Sequence, residues 1–185
     1  MNRTELLQHF EERAQAVQTV VHRVADWAEA VRYALELTAH RAGATLAPVG
    51  VPKEALSALV EQGASHQVRL LEPPLRNHLE DIHTGLTPAD WAIAETGTLV
   101  LDSTSEDLRI ATMLSEVHVA VLPASRIREE SLELGHEMAA LQKDGPRYLA
   151  FISGASRTAD IERVLTIGVH GPQELHVLIL EEDAS

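Results

Sequence analysis

The chain has 185 residues, a formal net charge of -13 and no cysteine, and aromatic side chains make up only 3% of it. Such an acidic balance excludes a non-specific nucleic-acid binder, which needs a basic footprint, and disfavours docking on an anionic membrane. Without cysteine, these residues can form no disulfide and supply no thiolate to an iron–sulfur cluster.

Taken in chain order, residues 4–15 read as a short amphipathic helix, an N-terminal helical arm over 1–16. The run VQTVVHRV (17–24) is β-branched and predicts a strand. Asp26 is placed to cap a helix on which Trp27, Val31, Ala34, Leu35 and Thr38 recur at helical spacing, with Gly43 as the residue that ends it. ATLAPVGV predicts a strand, PKEALSALVEQG a helix opened by Pro52 and closed by Gly63, and QVRLLE another strand. PPLRNHLEDI is turn-rich, with one helical turn. The central stretch, residues 83–103, mixes glycine, proline and threonine and predicts short strands and tight turns. SEDLRIATMLSE follows as a helix capped by Ser105, then VHVAVLPAS as a strand. RIREESLELGHEMAALQK reads as a helix with Ile127, Leu134, Met138 and Leu141 on one face. YLAFISGAS is a strand entering a turn, TADIERVLTIG a helical turn and its exit, and ELHVLILEE a strand.

Continuously apolar strands alternating with helices predict one α/β domain over 17–185, with a mostly parallel sheet covered on both faces. The central part is expected to add antiparallel strands at the sheet edge. In such sheets ligands gather at the carboxyl ends of the strands. That rule makes the turns after YLAFI and VAVLP, together with the central stretch, candidates for one cleft.

Two stretches carry the candidate chemistry. In TPADWAIAETGT (87–98), Thr87 and Pro88 resemble a helix start, and Asp90 and Glu95 offer two carboxylates. Thr96, Gly97 and Thr98 add hydroxyls and a place where backbone approaches a ligand. Glu95 is either an acid, base or nucleophile or the tip of a solvent-facing hairpin. In SGASRTAD (153–160), a strand ends in small residues and Ser156 or Thr158 can cap a helix, an arrangement suited to an anion. Ser153, Gly154, Ser156, Thr158 and Asp160 belong to that turn. Arg157 either grips a carboxylate or phosphate or pairs with Asp160 or Glu162. Arg109 is a surface residue or a counter-charge to Glu95. Ten histidines show no HExxH or other tight ligand spacing, so no metal site is expected. His118 reads as a hydrogen-bonded strand residue and His170 as a loop residue. There is no GxSxG elbow. The amino terminus lacks the apolar core of a secretory signal, and no apolar run is long enough to span a membrane, so a cytoplasmic protein is expected.

GLTPADWAIAETGTLVL, then LRIATMLSEVHVAVLPASRI, then FISGASRTADIERVLTIGVHGPQELHVLIL together resemble the LUD (lactate-utilization) domain family over about residues 80–180. The motif positions that match are Gly85, Thr87, Asp90, Glu95, Thr96, Gly97, Thr98, Ser153, Gly154, Ser156, Thr158, Asp160 and Gly168. The resemblance implies a Rossmann-like α/β fold similar to the ribose-5-phosphate isomerase and CoA-transferase group. It also implies a part in oxidising L-lactate to pyruvate beside two partners, a Cys-rich iron–sulfur oxidoreductase subunit and a longer LUD subunit carrying ferredoxin-type clusters. With no cofactor expected in this chain, the iron–sulfur clusters fall to the partners and a small carboxylate is the expected ligand. Two other readings stay open: a free-standing isomerase- or CoA-transferase-like enzyme acting on a phosphorylated or carboxylated metabolite, and a non-catalytic metabolite sensor.

Overall fold

The structure is a computed structural model that describes residues 1–141, 143, 145–158, 166–168 and 170–181. Helix α1 (Arg3–Ala16) opens with a reciprocal cap in which the Glu5 backbone N–H donates to Asn2 and the Glu5 carboxylate accepts from the Asn2 backbone. Strand β1 (Val20–Val24) leads to α2 (Trp27–His40), where the Asp26 carboxylate accepts from the Glu29 N–H as expected. There follow β2 (Thr45–Pro48), α3 (Lys53–Gly63), β3 (Arg69–Leu70), a single 3₁₀ turn at Leu75–His78, and β4 (Thr84–Pro88). Strands β5 (Trp91–Ile93) and β6 (Thr98–Asp102) form a hairpin. Beyond it lie α4 (Glu106–Met113), β7 (Val117–Pro123), β8 (Ile127–Arg128), α5 (Gly135–Leu141), β9 (Leu149–Ile152), β10 (Arg157–Thr158), β11 (Thr166–Ile167) and β12 (Glu174–Leu180).

The fold class is the expected one: a six-stranded sheet in the order β1-β12-β7-β4-β2-β3, parallel throughout. Side chains alternate between its faces with the period of two that a pleated strand imposes. On β7, Val117, Val119 and Val121 pack with α2 and α3, while Ala120 and Leu122 enter the opposite core. On β12, Leu178 and Leu180 take the first side, and Leu175, Val177 and Ile179 the second. Both faces are therefore buried, which is why these strands read as unbroken apolar runs.

The central segment departs from expectation. It does not extend the edge of the main sheet but forms a second sheet, β8-β5-β6-β9, joined to the main sheet's other face through Ala92, Leu99, Leu101 and Ile127. Helix α1 seats Leu7, Phe10 and Ala14 in the same core. The outer side of the second sheet is covered by Leu134, Met138 and Leu141 over Trp91, Ile93 and Val100. That is the apolar face expected of residues 126–143, except that Ile127 lies in β8 and the helix begins only at Gly135.

Other departures have local causes. Thr87 and Pro88 end a buried central strand, not start a helix, because the Thr87 hydroxyl bonds the His118 ring across the sheet at 2.9 Å. The left-handed residue after α2 is Ala42 (φ 56°) and not Gly43. Gly43 donates its N–H to Thr38 at 2.8 Å, and a Cβ there would overlap the His83 ring. Arg157 and Thr158 pair antiparallel with Thr166 and Ile167. The rest of that expected helical turn, residues 159–165, lies outside the described residues.

Three glycines bring backbones into contact. A Cβ on Gly85 in β4 would overlap the Ala111 carbonyl of α4. One on Gly97 (φ +62°) would overlap the α1 backbone at Arg13 and Ala14, and one on Gly154 (φ +80°) would overlap the Val17 carbonyl just after α1. Gly97 and Gly154 are also left-handed, a conformation that disfavours any Cβ. Gly135 has open space instead. Gly154→Ala is expected to lower stability in urea unfolding by roughly 2 kcal/mol or more, combining overlap with strain, whereas Gly135→Ala is expected to be neutral or slightly stabilising. Equal midpoints for the two variants would show that α1 is not seated on this turn.

His118, fully buried on β7, is held neutral by burial, its pKa pushed down to about 4. An unfolded histidine binds its proton near pH 6.5, so stability is complete above that value and falls as pH drops toward 4. The difference in unfolding free energy between wild type and His118→Gln should change by about 3 kcal/mol across this window, an upper figure for one proton. Parallel pH profiles would contradict it.

Candidate functional site

The two candidate motifs meet, although 55 positions separate Thr98 from Ser153. Their contact is a chain of hydroxyls: Thr96 to Thr98 at 2.7 Å, and Thr98 to Ser153 at 2.7 Å. Thr98 starts β6 and Ser153 follows β9, and the antiparallel β6–β9 pairing brings them side by side. On either side of this chain stand Gly97 and Gly154, both turned against α1. The motif glycines thus have a packing cause that needs no ligand.

The two carboxylates stand apart from each other. Glu95 is exposed at the tip of the β5–β6 hairpin, its backbone N–H donating to Glu129 at 3.1 Å. Its carboxylate makes no hydrogen bond or ion pair among the described residues. Asp90 lies at the other end of β5 and accepts the Asp102 backbone N–H at 2.6 Å. Burial of its carboxyl pushes it above the usual carboxylate range. The Asp102 N–H works against that shift, the Asp102 charge adds to it, and Arg126 opposes it.

Beside the second motif is a cleft of about 220 Å³. Helix α4 gives it Arg109, Thr112 and Met113, and β9 gives Ala150 and Ile152. Gly154 and Ser156 come from the turn after β9, and His170, Gly171 and Pro172 close it from the segment before β12. That segment is fixed by two backbone bonds: Ser156 N–H to Pro172 at 2.9 Å and Gly168 N–H to Ser156 at 2.9 Å. The cleft therefore sits by the amino ends of β7 and β12, not at the carboxyl ends of the main strands. The turn after VAVLP takes no part in it.

Arg109 is the cleft's cation. Its Nη1 donates to the Ser103 carbonyl at 2.6 Å and the Thr104 carbonyl at 2.8 Å. Its guanidinium carbon lies 5.5 Å from the centre of the Tyr148 ring. With Nη1 held, the fork's Nε and Nη2 donors are uncommitted among the described residues. A fixed fork of this kind suits a planar carboxylate. Among the described residues Arg109 makes no ion pair with Glu95. The Ser156 hydroxyl is likewise unbonded among them, and Met113, Ala150, Ile152 and Pro172 supply apolar walls.

Of the sequence candidates, Arg109, Gly154 and Ser156 line the cleft, and Thr96, Thr98 and Ser153 form the adjoining hydroxyl chain. Arg157 donates to the Ser153 carbonyl at 3.3 Å from an exposed position on β10, which also holds Thr158. Asp160 lies outside the described residues. Sequence reasoning passed over Thr112 and Met113, and read His170 as a loop residue without placing it in the site. The signal for His170 was its place in GVHGP, between two glycines that let the chain run close to Ser156 and Gln173. Among the described residues no group of three or more His, Asp or Glu side chains could hold a metal, and no helix is long and apolar enough to cross a membrane.

A family model for the LUD domain matches residues 7–180. Lactate utilization protein C of Deinococcus radiodurans is 31% identical over 182 residues, covering 97% of this chain and 82% of that protein. Lactate utilization protein C of Halalkalibacterium halodurans is 37% identical over 107 residues, 56% of this chain and 46% of that one. For the Exiguobacterium protein of the same name the identity is 35% over 101 residues, 53% of this chain and 44% of that one. The crystal structure of a DUF162 family protein from Deinococcus radiodurans superposes with a TM-score of 0.73 at 26% identity, covering 98% of this chain and 99% of that one.

The hydroxyl chain is testable by itself. Thr98→Val keeps the shape but removes the central hydroxyl from both Thr96 and Ser153. It should lower unfolding free energy by about 1–2 kcal/mol, and Ser153→Ala in the Thr98→Val background should then cost less than in wild type. Strict additivity in that double-mutant cycle would show that Thr98 and Ser153 are not coupled.

Proposed function

The chain belongs to the LUD domain family, and from that premise we propose that it serves lactate utilization as the substrate-binding or accessory subunit of an iron–sulfur complex that oxidises L-lactate to pyruvate. Arg109 is the observation that carries the reading. Its Nη1 is held by two carbonyls, and the residue lines a cleft sized for a small acid. Lactate's carboxylate would take the fork, its hydroxyl would find Ser156, and its methyl group would meet the Met113 and Ile152 walls.

The redox chemistry belongs to partners in this reading. These 185 residues contain no cysteine, so the clusters would be held by the Cys-rich oxidoreductase subunit and the longer ferredoxin-containing LUD subunit. An edge for such a partner exists on β9, which among the described residues pairs with β6 alone, with Phe151 on it and Tyr148 just before it exposed by 52% and 68%. Readings in which Glu95 is acid, base or nucleophile draw no support from the cleft, which Glu95 does not line.

Titration calorimetry tests the binding: L-lactate and pyruvate should bind, and Arg109→Gln should weaken both by roughly tenfold or more, the scale of a lost charge-assisted hydrogen bond. Affinity capture from the native cell should recover a Cys-rich partner, and deletion should impair growth on lactate. No binding of any small carboxylate, together with normal growth of the deletion strain, would overturn the proposal. Binding without a partner or a growth defect would favour a metabolite sensor.

A further inference from the structure

Next to the Arg109 cleft is a second hollow of about 390 Å³, and the two share Met113, His170 and Gly171. Of these three, Met113 and His170 bring side chains to the boundary between the hollows. Met113 closes α4, is 55% exposed, and is the unbranched, flexible one of the pair.

The second hollow differs chemically from the first. Its lining has Ser115, Glu116 and Gln173 and no arginine or lysine. Ser115 is only 2% exposed, and its hydroxyl, without a hydrogen-bond partner among the described residues, packs toward Gly85 of β4 rather than into the hollow. The carboxyl end of α4 adds carbonyl oxygens, whose dipole favours positive charge. Glu116 adds a carboxylate, with the His83 ring 3.9 Å from it. One hollow thus holds a fixed cation, and its neighbour is lined by acceptors and a carboxylate.

Resting on the lactate reading, we propose that Met113 is the residue that sets the length of acid the cleft accepts, and that the hollow behind it is a subsite for a tail ending in a hydrogen-bond donor or an ammonium group. With the carboxylate on Arg109, a short acid stops at the Met113 side chain. A 2-hydroxy acid three carbons longer passes it only if the side chain swings away or is removed, and its tail then meets Glu116 and the carbonyl end of α4. An ammonium terminus suits that environment, a methyl terminus gains nothing from the carboxylate, and a carboxylate terminus is repelled by Glu116.

The test is calorimetry on the full chain with three probes: L-lactate, 2-hydroxyhexanoate and 6-amino-2-hydroxyhexanoate. In Met113→Ala, the affinity ratio of each long acid to lactate should rise by on the order of tenfold over wild type. The amino acid should rise more than its methyl-ended counterpart, and adding Glu116→Gln should remove that margin. Thermal melts identify any variant that fails to fold, and Met113→Leu, which keeps the bulk, should keep the wild-type ratio. Unchanged ratios in Met113→Ala, or no advantage for the ammonium end, would overturn the inference while leaving lactate binding standing. A wild-type protein that binds none of the three would remove the lactate reading and this inference with it.

Discussion

The carboxyl end of α1 lies so close to two turns that only hydrogen fits at Gly97 and Gly154. Backbone contact of that kind tolerates little displacement, because peptide groups cannot rotate away as side chains do. It ties the β5–β6 hairpin and the turn after β9 to one rigid element. The Thr96–Thr98–Ser153 chain then joins the same two turns through hydroxyls. A third contact of this type, Gly85 against Ala111, sets α4 on the main sheet and with it the position of Arg109. The cleft lies between the parts that these contacts fix.

Its electrostatics follow from the same arrangement. In a chain of net charge -13, a binding site for an anion needs a cation that is not already neutralised. Arg23, Arg41, Arg76 and Arg128 are all paired with glutamates. Arg109 is held by carbonyl oxygens and an aromatic face instead, and of the carboxylates it feels Glu106, which Arg76 already pairs. Buried histidines illustrate the opposite treatment. His176 is enclosed by Tyr33 at 2.8 Å and Glu174 at 3.0 Å, and burial lowers its pKa although Glu174 acts to raise it.

Much of this was legible in the sequence, for identifiable reasons. The α2 cap at Asp26 and the α4 cap at Ser105 were readable because capping chemistry is local. The parallel sheet was readable because strands buried on both faces have no polar alternation to hide them. Thr87–Pro88 misled because a hydroxyl before a proline suits a helix start and a strand end alike, and only His118, 31 positions away, decides between them. Arg157 and Thr158 went to a strand through pairing with Thr166 and Ile167, which no local pattern announces. Glu95 sits at the tip of a hairpin, the second of its two readings, where a carboxylate needs no partner. The motif around it marks a place where backbones touch, and the cleft draws on its neighbours instead.

The strand order has a consequence for how the chain is made. Among the described residues β1 has one partner in the main sheet, β12, which follows it in sequence by about 150 residues. At ribosomal speeds of about 5–20 residues per second, β12 leaves the ribosome roughly 8 to 30 s after β1. Until then Val20 to Val24 have no strand to pair with, and β7 has an open edge where β12 will insert. The β1 edge therefore stays unsatisfied through most of synthesis and the β7 edge through its last third, so both are exposed to mispairing until β12 emerges.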